Sequence, residues 1–378
     1  MRCTFLTTFL LLSLAGFSQQ FYLFVGNYTE GPFKNADSKG IYVYRFDGAT
    51  GDLKPVSAIA ADNPSYLALA SGGNFLYSVN ETDGKKPGGV SAFSFDKKSG
   101  QLKFINKQQS GGDDPCYISV DSHRKWALVA NYGGGNFSAL PIGADGTLGA
   151  ATQTIQHTGS GPNKGRQEKP HVHSTILSPD EKYLLVCDLG LDRISVEQFN
   201  YQAAQKPLTP AADSSVAVDP GAGPRHTCFY PGKPYVYLIN ELKGTVVVFH
   251  YVNGKLKPIQ QLSSHPAGYT GNIGSADIHI TPNGKFLYAS NRGDANSLAI
   301  YSVDPATGKL TLKGFQSTLG KTPRNFMIDP TGRWLLAANQ NGRNVVVLKI
   351  DQQTGLLTDT GKKIELPAPV CLKMTPAN

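Results

Sequence analysis

The chain repeats one short pattern seven times, and this repeat limits its fold more than any other feature. Each copy is an apolar run that ends in asparagine or aspartate, as in Lys285-Phe-Leu-Tyr-Ala-Ser-Asn291. The end residues follow one another at intervals of 48 to 57 positions. They are Asn27, Asn80, Asn131, Asp188, Asn240, Asn291 and Asn339. A period of this length is typical of architectures in which similar units pack against their neighbours.

Each period reads as four strands. An apolar strand and a turn such as Thr281-Pro-Asn-Gly284 precede the run, and two further strands follow it. The sequence therefore predicts an all-β, seven-bladed β-propeller with four-stranded antiparallel blades. The first copy lacks its leading strand, and residues 369–376 have the form of that strand. We expect the C-terminal strand to join the N-terminal blade and close the ring, which removes two exposed sheet edges.

Residues 1–18 have the features of a secretory signal peptide. Arg2 gives a positive start, the run 5–17 is apolar, and Gly16 and Ser18 are small residues at the −3 and −1 positions of a cleavage site. The run is shorter than the roughly 18 to 20 apolar residues that span a bilayer. The sequence thus predicts that residues 19–378 form a single propeller domain, secreted or periplasmic, with no membrane association after cleavage.

The formal net charge of +8 favours anionic partners in general. No run of lysine and arginine and no nucleic-acid-binding motif accompanies it, so we expect no nucleic-acid partner. The cysteines beyond residue 18 lie in apolar strand patterns of different repeats: Cys116, Cys187, Cys228 and Cys371. Buried free thiols are favoured over disulfides, and no Cys-x-x-Cys spacing indicates zinc. The oligomeric state is left open.

Residues at the ends of the inner strands of a propeller converge on one mouth of the central channel, whichever blade they come from. Aligned on their turns, the leading strands place one residue each in a first row: Ser65, Cys116, His173, Arg225, Ala276, Arg324 and Val370. The positions after the second strands form a second row: Tyr28, Glu81, Tyr132, Leu189, Glu241, Arg292 and Gln340.

The second half of the ring departs from the small or apolar residues of a simple scaffold. It supplies one imidazole, one carboxylate and three guanidinium groups, from His173, Glu241, Arg225, Arg292 and Arg324. Three fixed cations can bind a carboxylate or phosphate and stabilise an oxyanion. A carboxylate and a histidine in the same space can move a proton to or from water.

Each of these residues also has a purely structural interpretation. His173 could satisfy a backbone carbonyl, Glu241 could only neutralise Arg225, and the arginines could tie blades together. Their occurrence in register favours a site. His171 and His173 share a strand face, but the sequence offers no clear third metal ligand, so we expect no metal and assign His171 to orienting Glu168 or the main chain. We see no serine or cysteine placed beside a base for covalent catalysis.

Longer motifs surround these rows: Pro170-His-Val-His-Ser174, Asp188-Leu-Gly-Leu-Asp-Arg193, Gly221-Ala-Gly-Pro-Arg-His226, Asn240-Glu-Leu242, Ser275-Ala-Asp-Ile-His-Ile280, Ser290-Asn-Arg292 and Pro323-Arg-Asn-Phe326. They resemble those of the seven-bladed propeller lactonases, a family that includes bacterial propeller-type 6-phosphogluconolactonase and fungal carboxy-cis,cis-muconate cyclase. The resemblance spans nearly the whole chain after residue 18.

This resemblance implies opening or closing of a lactone ring without a metal or other cofactor. The family's proposed active-site residues fall on the set already reached from the rows: His173, Glu241, Arg225 and Arg292. Glu241 or His173 would handle the proton, and the arginines would hold the acidic groups of a small-molecule substrate. Further substrate-binding candidates are Arg324, His171, Tyr132, Glu81 and Gln340.

Three functions stay open at this point. The first is hydrolysis of an acidic sugar lactone in the manner of 6-phosphogluconolactonase. Export favours another sugar or uronic lactone, because the phosphorylated substrate is made in the cytoplasm. The second is a muconate-type lactonising cycloisomerase, and the third is a propeller that binds an acidic ligand without turnover.

Overall fold

A computed structural model describes residues 19–30, 37–82 and 87–378. Strands, turns and loops make up these residues, and no helix occurs among them. The same residues accordingly contain no helix long and apolar enough to cross a membrane. The predicted signal peptide at residues 1–18 lies outside the described part of the chain.

The described chain forms 28 strands. The first fourteen are β1 (Gln20–Asn27), β2 (Gly40–Asp47), β3 (Leu53–Ala60), β4 (Leu67–Leu69), β5 (Phe75–Asn80), β6 (Gly89–Asp96), β7 (Gln101–Gln109), β8 (Pro115–Val120), β9 (Trp126–Asn131), β10 (Asn136–Pro141), β11 (Gln153–Gln156), β12 (Val172–Leu177), β13 (Tyr183–Asp188) and β14 (Arg193–Phe199). The other fourteen are β15 (Leu208–Ala217), β16 (Pro224–Phe229), β17 (Tyr235–Asn240), β18 (Thr245–Val252), β19 (Lys255–Ser263), β20 (Ser275–Ile280), β21 (Phe286–Asn291), β22 (Ser297–Val303), β23 (Leu310–Ser317), β24 (Pro323–Ile328), β25 (Trp334–Asn339), β26 (Asn344–Ile350), β27 (Leu357–Glu365) and β28 (Pro369–Pro376).

These strands form seven antiparallel sheets of four, which confirms the predicted fold. Blade 1 consists of β28, β1, β2 and β3 from the inside outwards, and each later blade takes the next four strands of the chain. Each innermost strand contacts the innermost strand of the following blade, and β24 of blade 7 contacts β28. The seven blades therefore close into a ring.

The apolar run that defines the repeat is the second strand of each blade. Every residue of β9, β17, β21 and β25 is buried. A strand in this place has a neighbouring blade on both faces, so it reads as a continuous apolar run rather than as an alternating one. The outermost strands, such as β27, alternate between more and less exposed positions because one edge and part of each face meet water.

In blades 3, 5 and 7 the asparagine at the end of the run anchors the next turn. The side-chain Nδ2 of Asn131 donates to Oδ1 of Asn136 at 2.7 Å, and Nδ2 of Asn339 donates in the same way to Oδ1 of Asn344 at 2.9 Å. In blade 5, Nδ2 of Asn240 donates to the hydroxyl of Thr245 at 2.9 Å. These bonds tie the end of the second strand to the start of the third, and they hold the loops at the channel mouth in place.

Ring closure occurs as the sequence predicts. β28 pairs antiparallel with β1, with Leu23 opposite Met374. Leu372 is buried in a cluster that also contains Phe21 of blade 1 and Leu336 of blade 7, so this cluster joins the first and the last blade. Its backbone N–H donates to Oδ1 of Asn325 in blade 7 at 2.7 Å.

The first row of the sequence analysis coincides with a break in strand register. In six blades the pairing of the innermost strand with the second strand shifts at this position. The row residues left without a strand-pairing partner there are Cys116, His173, Arg225, Ala276, Arg324 and Val370, and in blade 6 the same break also includes Asp277. A β-bulge re-aims the side chain that it carries, and bulges often lie beside active sites.

Candidate active site

The carboxylate of Glu241 is the centre of the channel mouth. Glu241 follows β17 and is only 5% exposed. Its Oε2 lies 2.9 Å from Nε of Arg225 and 3.0 Å from Nη2 of Arg292. The same oxygen lies 4.0 Å from Nε2 of His173. The structure thus brings together the four residues that the sequence assigns to catalysis, from blades 4, 5 and 6.

A third cation at this carboxylate, Arg166, was missed by the sequence analysis. Its Nη2 donates to Oε1 of Glu241 at 2.6 Å and to the hydroxyl of Tyr132 at 3.3 Å. Arg166 lies in the long loop between β11 and β12, which links blades 3 and 4. The rows could not include it, because it occupies no repeat position; its nearness in sequence to the Pro170–Ser174 motif was the available signal.

The three guanidinium groups keep Glu241 ionised. Burial alone would raise the pKa of its carboxyl group, but Arg292, Arg225 and Arg166 together hold that pKa far below its usual value. A carboxylate that accepts charge-assisted hydrogen bonds on both oxygens is a weak proton acceptor. Glu241 is therefore suited to orienting the arginines and to stabilising positive charge nearby.

His173 is a neutral imidazole at neutral pH. It is 4% exposed, and burial lowers its pKa well below 6.5, with Arg225, His226 and Arg324 adding to the effect. Its ring meets the ring of Tyr132 edge-on, with 5.5 Å between centroids. A neutral imidazole retains a nitrogen lone pair, so His173 can take up a proton, whereas both oxygens of Glu241 already accept from guanidinium groups.

Cys116 lies beside the imidazole of His173, a contact that the sequence analysis did not identify. Sγ of Cys116 lies 3.8 Å from Nδ1 of His173 and 3.5 Å from the carbonyl oxygen of the same residue. The two residues occupy equivalent bulges in neighbouring blades, which brings their side chains together. Burial raises the pKa of the Cys116 thiol well above its usual range, so it stays protonated and is not an activated nucleophile.

A chain of buried hydrogen bonds holds Arg225 in position. Nδ1 of His226 lies 2.8 Å from Oδ1 of Asp277, and because a carboxylate only accepts, the imidazole proton is on Nδ1. Nε2 of His226 can then accept from Nη1 of Arg225, 3.4 Å away. Nη1 of Arg225 also donates to the carbonyl oxygen of Ala276. Burial and the neighbouring Arg292 lower the pKa of Arg225 to about 10, so it remains a cation at neutral pH.

Arg324 forms a separate corner of the mouth with residues of blades 1 and 2. Its Nη2 lies 3.4 Å from Oε2 of Glu81, and its guanidinium group lies 5.6 Å from the ring centre of Tyr28. The hydroxyl of Tyr28 donates to the same oxygen of Glu81 at 3.0 Å. Two of the substrate-binding candidates, Arg324 and Glu81, are thus paired with each other.

The remaining candidates line the mouth at other positions. The ring of His171 stacks on the ring of Tyr132, with centroids 4.4 Å apart. Nδ1 of His171 lies 3.1 Å from the carbonyl oxygen of Tyr132, and its Nε2 lies 3.1 Å from Oε1 of Glu168. Gln340 follows β25 and is 3% exposed.

Within residues 19–30, 37–82 and 87–378, one group of three side chains has the spacing of a metal site, and it lies away from the mouth. Its members are Asp121, His123 and Glu181. They lie at the opposite ends of the blade strands from Cys116 and His173. Asp121 already accepts backbone hydrogen bonds from Lys125 and Trp126, so this group carries no argument for a metal-dependent reaction.

The charge balance of the mouth favours an anionic ligand. Its ion pairs join four guanidinium groups to two carboxylates, from Arg166, Arg225, Arg292, Arg324, Glu241 and Glu81. His173 adds no charge when neutral. Fixed cations in a partly buried space bind carboxylate and phosphate groups strongly, and they also stabilise the oxyanion that forms when water attacks a carbonyl carbon.

The fold is a seven-bladed β-propeller whose channel mouth carries four guanidinium groups, two carboxylates and the imidazole of His173. The chain belongs to the family described as "Lactonase, 7-bladed beta-propeller", whose model matches residues 22–374. This match confirms the resemblance seen in the sequence motifs.

Named relatives cover almost the whole chain. The chain is 37% identical to 6-phosphogluconolactonase of Bacillus subtilis over 93% of its own length and 97% of the relative's. It is also 37% identical to 6-phosphogluconolactonase of Formosa agariphila over 93% and 99% of the two chains. Among solved structures, the periplasmic gluconolactonase of Pseudomonas aeruginosa is 37% identical, with a TM-score of 0.90 and coverage of 95% and 100%.

Proposed function

We propose that this protein is a lactone hydrolase that acts on a sugar lactone bearing a negatively charged group. The observation that carries this proposal is the convergence of Arg225, Arg292 and neutral His173 on the buried carboxylate of Glu241. Membership of the lactonase family and the names of the relatives support the same reaction.

His173 is the proposed proton carrier. Water attacks the lactone carbonyl carbon, a new C–O bond forms, and the proton of the water passes to Nε2 of His173. The carboxylate of Glu241, 4.0 Å away, stabilises the imidazolium that results. Glu241 is assigned this electrostatic role rather than that of the base because guanidinium groups already donate to both of its oxygens.

The arginines are proposed to stabilise the tetrahedral oxyanion. Arg292 is 16% exposed at its side chain and Arg225 is 1% exposed, so both cations act where little water screens them. When the intermediate collapses, the acyl C–O bond of the ring breaks, and the ring oxygen takes the proton from His173. The product is an open-chain hydroxy acid, whose new carboxylate can pair with the same guanidinium groups.

The test is acid release from three lactones above the spontaneous rate. Glucono-1,5-lactone is uncharged, 6-phosphogluconolactone carries a phosphate, and glucaro-1,4-lactone carries a carboxylate. We expect the protein to accelerate hydrolysis of at least one charged lactone, and His173→Asn to remove most of this acceleration while His123→Asn, on the opposite face, retains it. No acceleration with any lactone contradicts the proposal, and loss of the ultraviolet diene band of a carboxymuconate would instead indicate ring closure.

Export is part of the proposal. The features of residues 1–18 support a cleaved signal peptide, and the Pseudomonas aeruginosa relative is named as periplasmic. Expression of the full chain in a bacterial host, followed by osmotic shock and mass measurement, tests it. The expected product is a periplasmic protein that begins at Gln19; an uncleaved chain in the cytoplasm contradicts it.

A further inference from the structure

Arg166 differs from the other arginines of the mouth in its exposure. Its side chain is 45% exposed, whereas those of Arg225, Arg292 and Arg324 are 1%, 16% and 15% exposed. The other three extend from the ends of blade strands, but Arg166 reaches the mouth from a loop between two blades. Arg166 is therefore the cation of this set that faces incoming solvent and solute.

The backbone at Arg166 is fixed by its neighbour Gln167, whose side chain is fully buried. Nε2 of Gln167 donates to the carbonyl oxygen of Leu189 at 2.8 Å and to Oδ1 of Asp192 at 2.7 Å. Its Oε1 accepts from the backbone N–H of Asn163 at 3.1 Å. The loop is thus anchored at Gln167, while the guanidinium group of the preceding residue, Arg166, lies at the surface.

Asp192, which accepts from Gln167, also fixes the loop that leads into the buried Arg225. Asp192 accepts from the backbone N–H groups of Gly221 at 2.6 Å and Gly223 at 2.9 Å, in the loop that leads into Arg225. The carbonyl oxygen of Gly223 accepts from the backbone N–H of Glu241 at 2.7 Å. The buried carboxylate of Asp192 therefore holds the Arg166 loop in a fixed position relative to Arg225 and Glu241 at the mouth.

The contacts of Glu241 divide between its two oxygens. Oε2 is held by Arg225 and Arg292, and Oε1 is held by Arg166. If Arg166 turns away, the carboxylate keeps its two buried partners and its position. The planar guanidinium fork can then form a bidentate pair with a carboxylate or a phosphate of the substrate.

We propose that Arg166 binds the anionic substituent of the substrate by exchanging Oε1 of Glu241 for it, and that it is the residue that distinguishes charged from uncharged lactones. This inference rests on the proposed lactone hydrolysis. The exchange replaces the carboxylate of Glu241 by the anionic group of the substrate, so the guanidinium group of Arg166 stays paired. It also leaves Glu241 with two cations instead of three, which makes its carboxylate a better partner for an imidazolium at His173.

The test compares substrates in Arg166→Gln and Arg166→Lys. For Arg166→Gln, we expect the ratio of kcat/KM for 6-phosphogluconolactone to kcat/KM for glucono-1,5-lactone to fall about ten- to hundredfold, mainly through KM. Glucaro-1,4-lactone shows whether a carboxylate is selected in the same way as a phosphate. Arg166→Lys restores part of the ratio, because it keeps the charge but not the fork. An equal loss for all three lactones overturns the inference.

Arg333→Gln is the matched control, because Arg333 is exposed at the turn between β24 and β25, at the far end of these strands from the mouth. It should leave the ratio as in the wild type. Failure of the proposed function is recognised separately, since the wild-type protein would then hydrolyse none of the lactones. In that case, calorimetric titration with 6-phosphogluconate still tests the role of Arg166. Binding that is about tenfold weaker in Arg166→Gln than in the wild type supports anion binding by Arg166, and unchanged binding overturns the inference.

Discussion

Oε2 of Glu241 lies 4.0 Å from Nε2 of His173, although the two residues belong to different blades and different strands. One residue follows a second strand and the other occupies the bulge of an innermost strand. Both side chains are buried and both face the arginines. The carboxylate is ionised and the imidazole is neutral. In the proposed mechanism, Glu241 therefore stabilises positive charge and His173 carries the proton.

Replacing Glu241 by glutamine should lower turnover and strengthen anion binding. The change removes the negative charge that three guanidinium groups share, so we expect kcat to fall about a hundredfold or more. The same loss leaves the mouth more positive, and inorganic phosphate should bind more tightly as a competitive inhibitor. Glu365→Gln, on the exposed outer strand β27, is the control. Unaltered kcat together with unaltered phosphate inhibition would show that Glu241 has no part in the reaction.

The pH dependence of kcat/KM should have its acid limb well below pH 6.5. Catalysis needs His173 in its neutral form, and burial together with Arg225 lowers its pKa well below 6.5. Activity is therefore retained as pH falls through 6.5 and is lost only when His173 becomes protonated. The profile is measured as acid release after subtraction of the spontaneous rate. A midpoint at or above 6.5 would mean that another group titrates.

An independent readout of the same residue is its imidazole signal in NMR. In Arg225→Gln a neighbouring cation is removed, so the pKa of His173 should rise toward 6.5. His171→Gln is the comparison, because His171 is not among the groups that lower this pKa. A rise in both variants, or in neither, would remove Arg225 as a cause of the shift.

The fold and much of the mouth can be predicted from the sequence because both follow the repeat. The apolar runs are buried between blades. Because each blade needs such a run, the runs recur at regular intervals in the sequence. Equivalent positions in equivalent blades then point to the same end of the channel, which is why His173, Arg225 and Glu241 meet as expected. The bulges that aim the first row could not be predicted, since they depend on pairing between strands.

The features that the sequence analysis missed depend on an inter-blade loop and on a distance between blades. Arg166 belongs to an inter-blade loop, and nothing in its own sequence position says that it folds back onto Glu241; the anchor at Gln167 decides this. The contact between Cys116 and His173 depends on the distance between neighbouring bulges, which no spacing along one chain segment reveals. The repeat determines neither the conformation of the inter-blade loops nor the distances between side chains of neighbouring blades.

His226 should make the protein less stable as pH falls from 7 to 5. Burial and Arg225 lower its pKa to about 4 in the folded protein, against 6.5 for an ordinary histidine. Between these values the unfolded chain binds more protons, so the free energy of unfolding decreases with acidification, by about 2 kcal/mol from this group. Denaturant unfolding at pH 7 and pH 5 measures the effect. His226→Gln should lose this part of the difference, whereas His123→Gln, at a half-exposed site, should keep it; a slope unchanged in His226→Gln contradicts the assignment.

Truncation of Leu372 should weaken closure of the ring. Leu372 is 1% exposed and belongs to the buried cluster that contains Phe21 of β1 and Leu336 of β25, so Leu372→Ala leaves a cavity where blades 1 and 7 meet. We expect the free energy of unfolding to fall by about 3 kcal/mol, measured by denaturant titration. Leu312→Ala, at a side chain that is 42% exposed, should change it by less than about 0.5 kcal/mol. The hydrogen bond from the backbone of Leu372 to Asn325 survives the truncation, so the loss reports packing alone. Similar small losses in both variants would show that the strand β28 is held by its backbone pairing with β1 and not by the packing of this side chain.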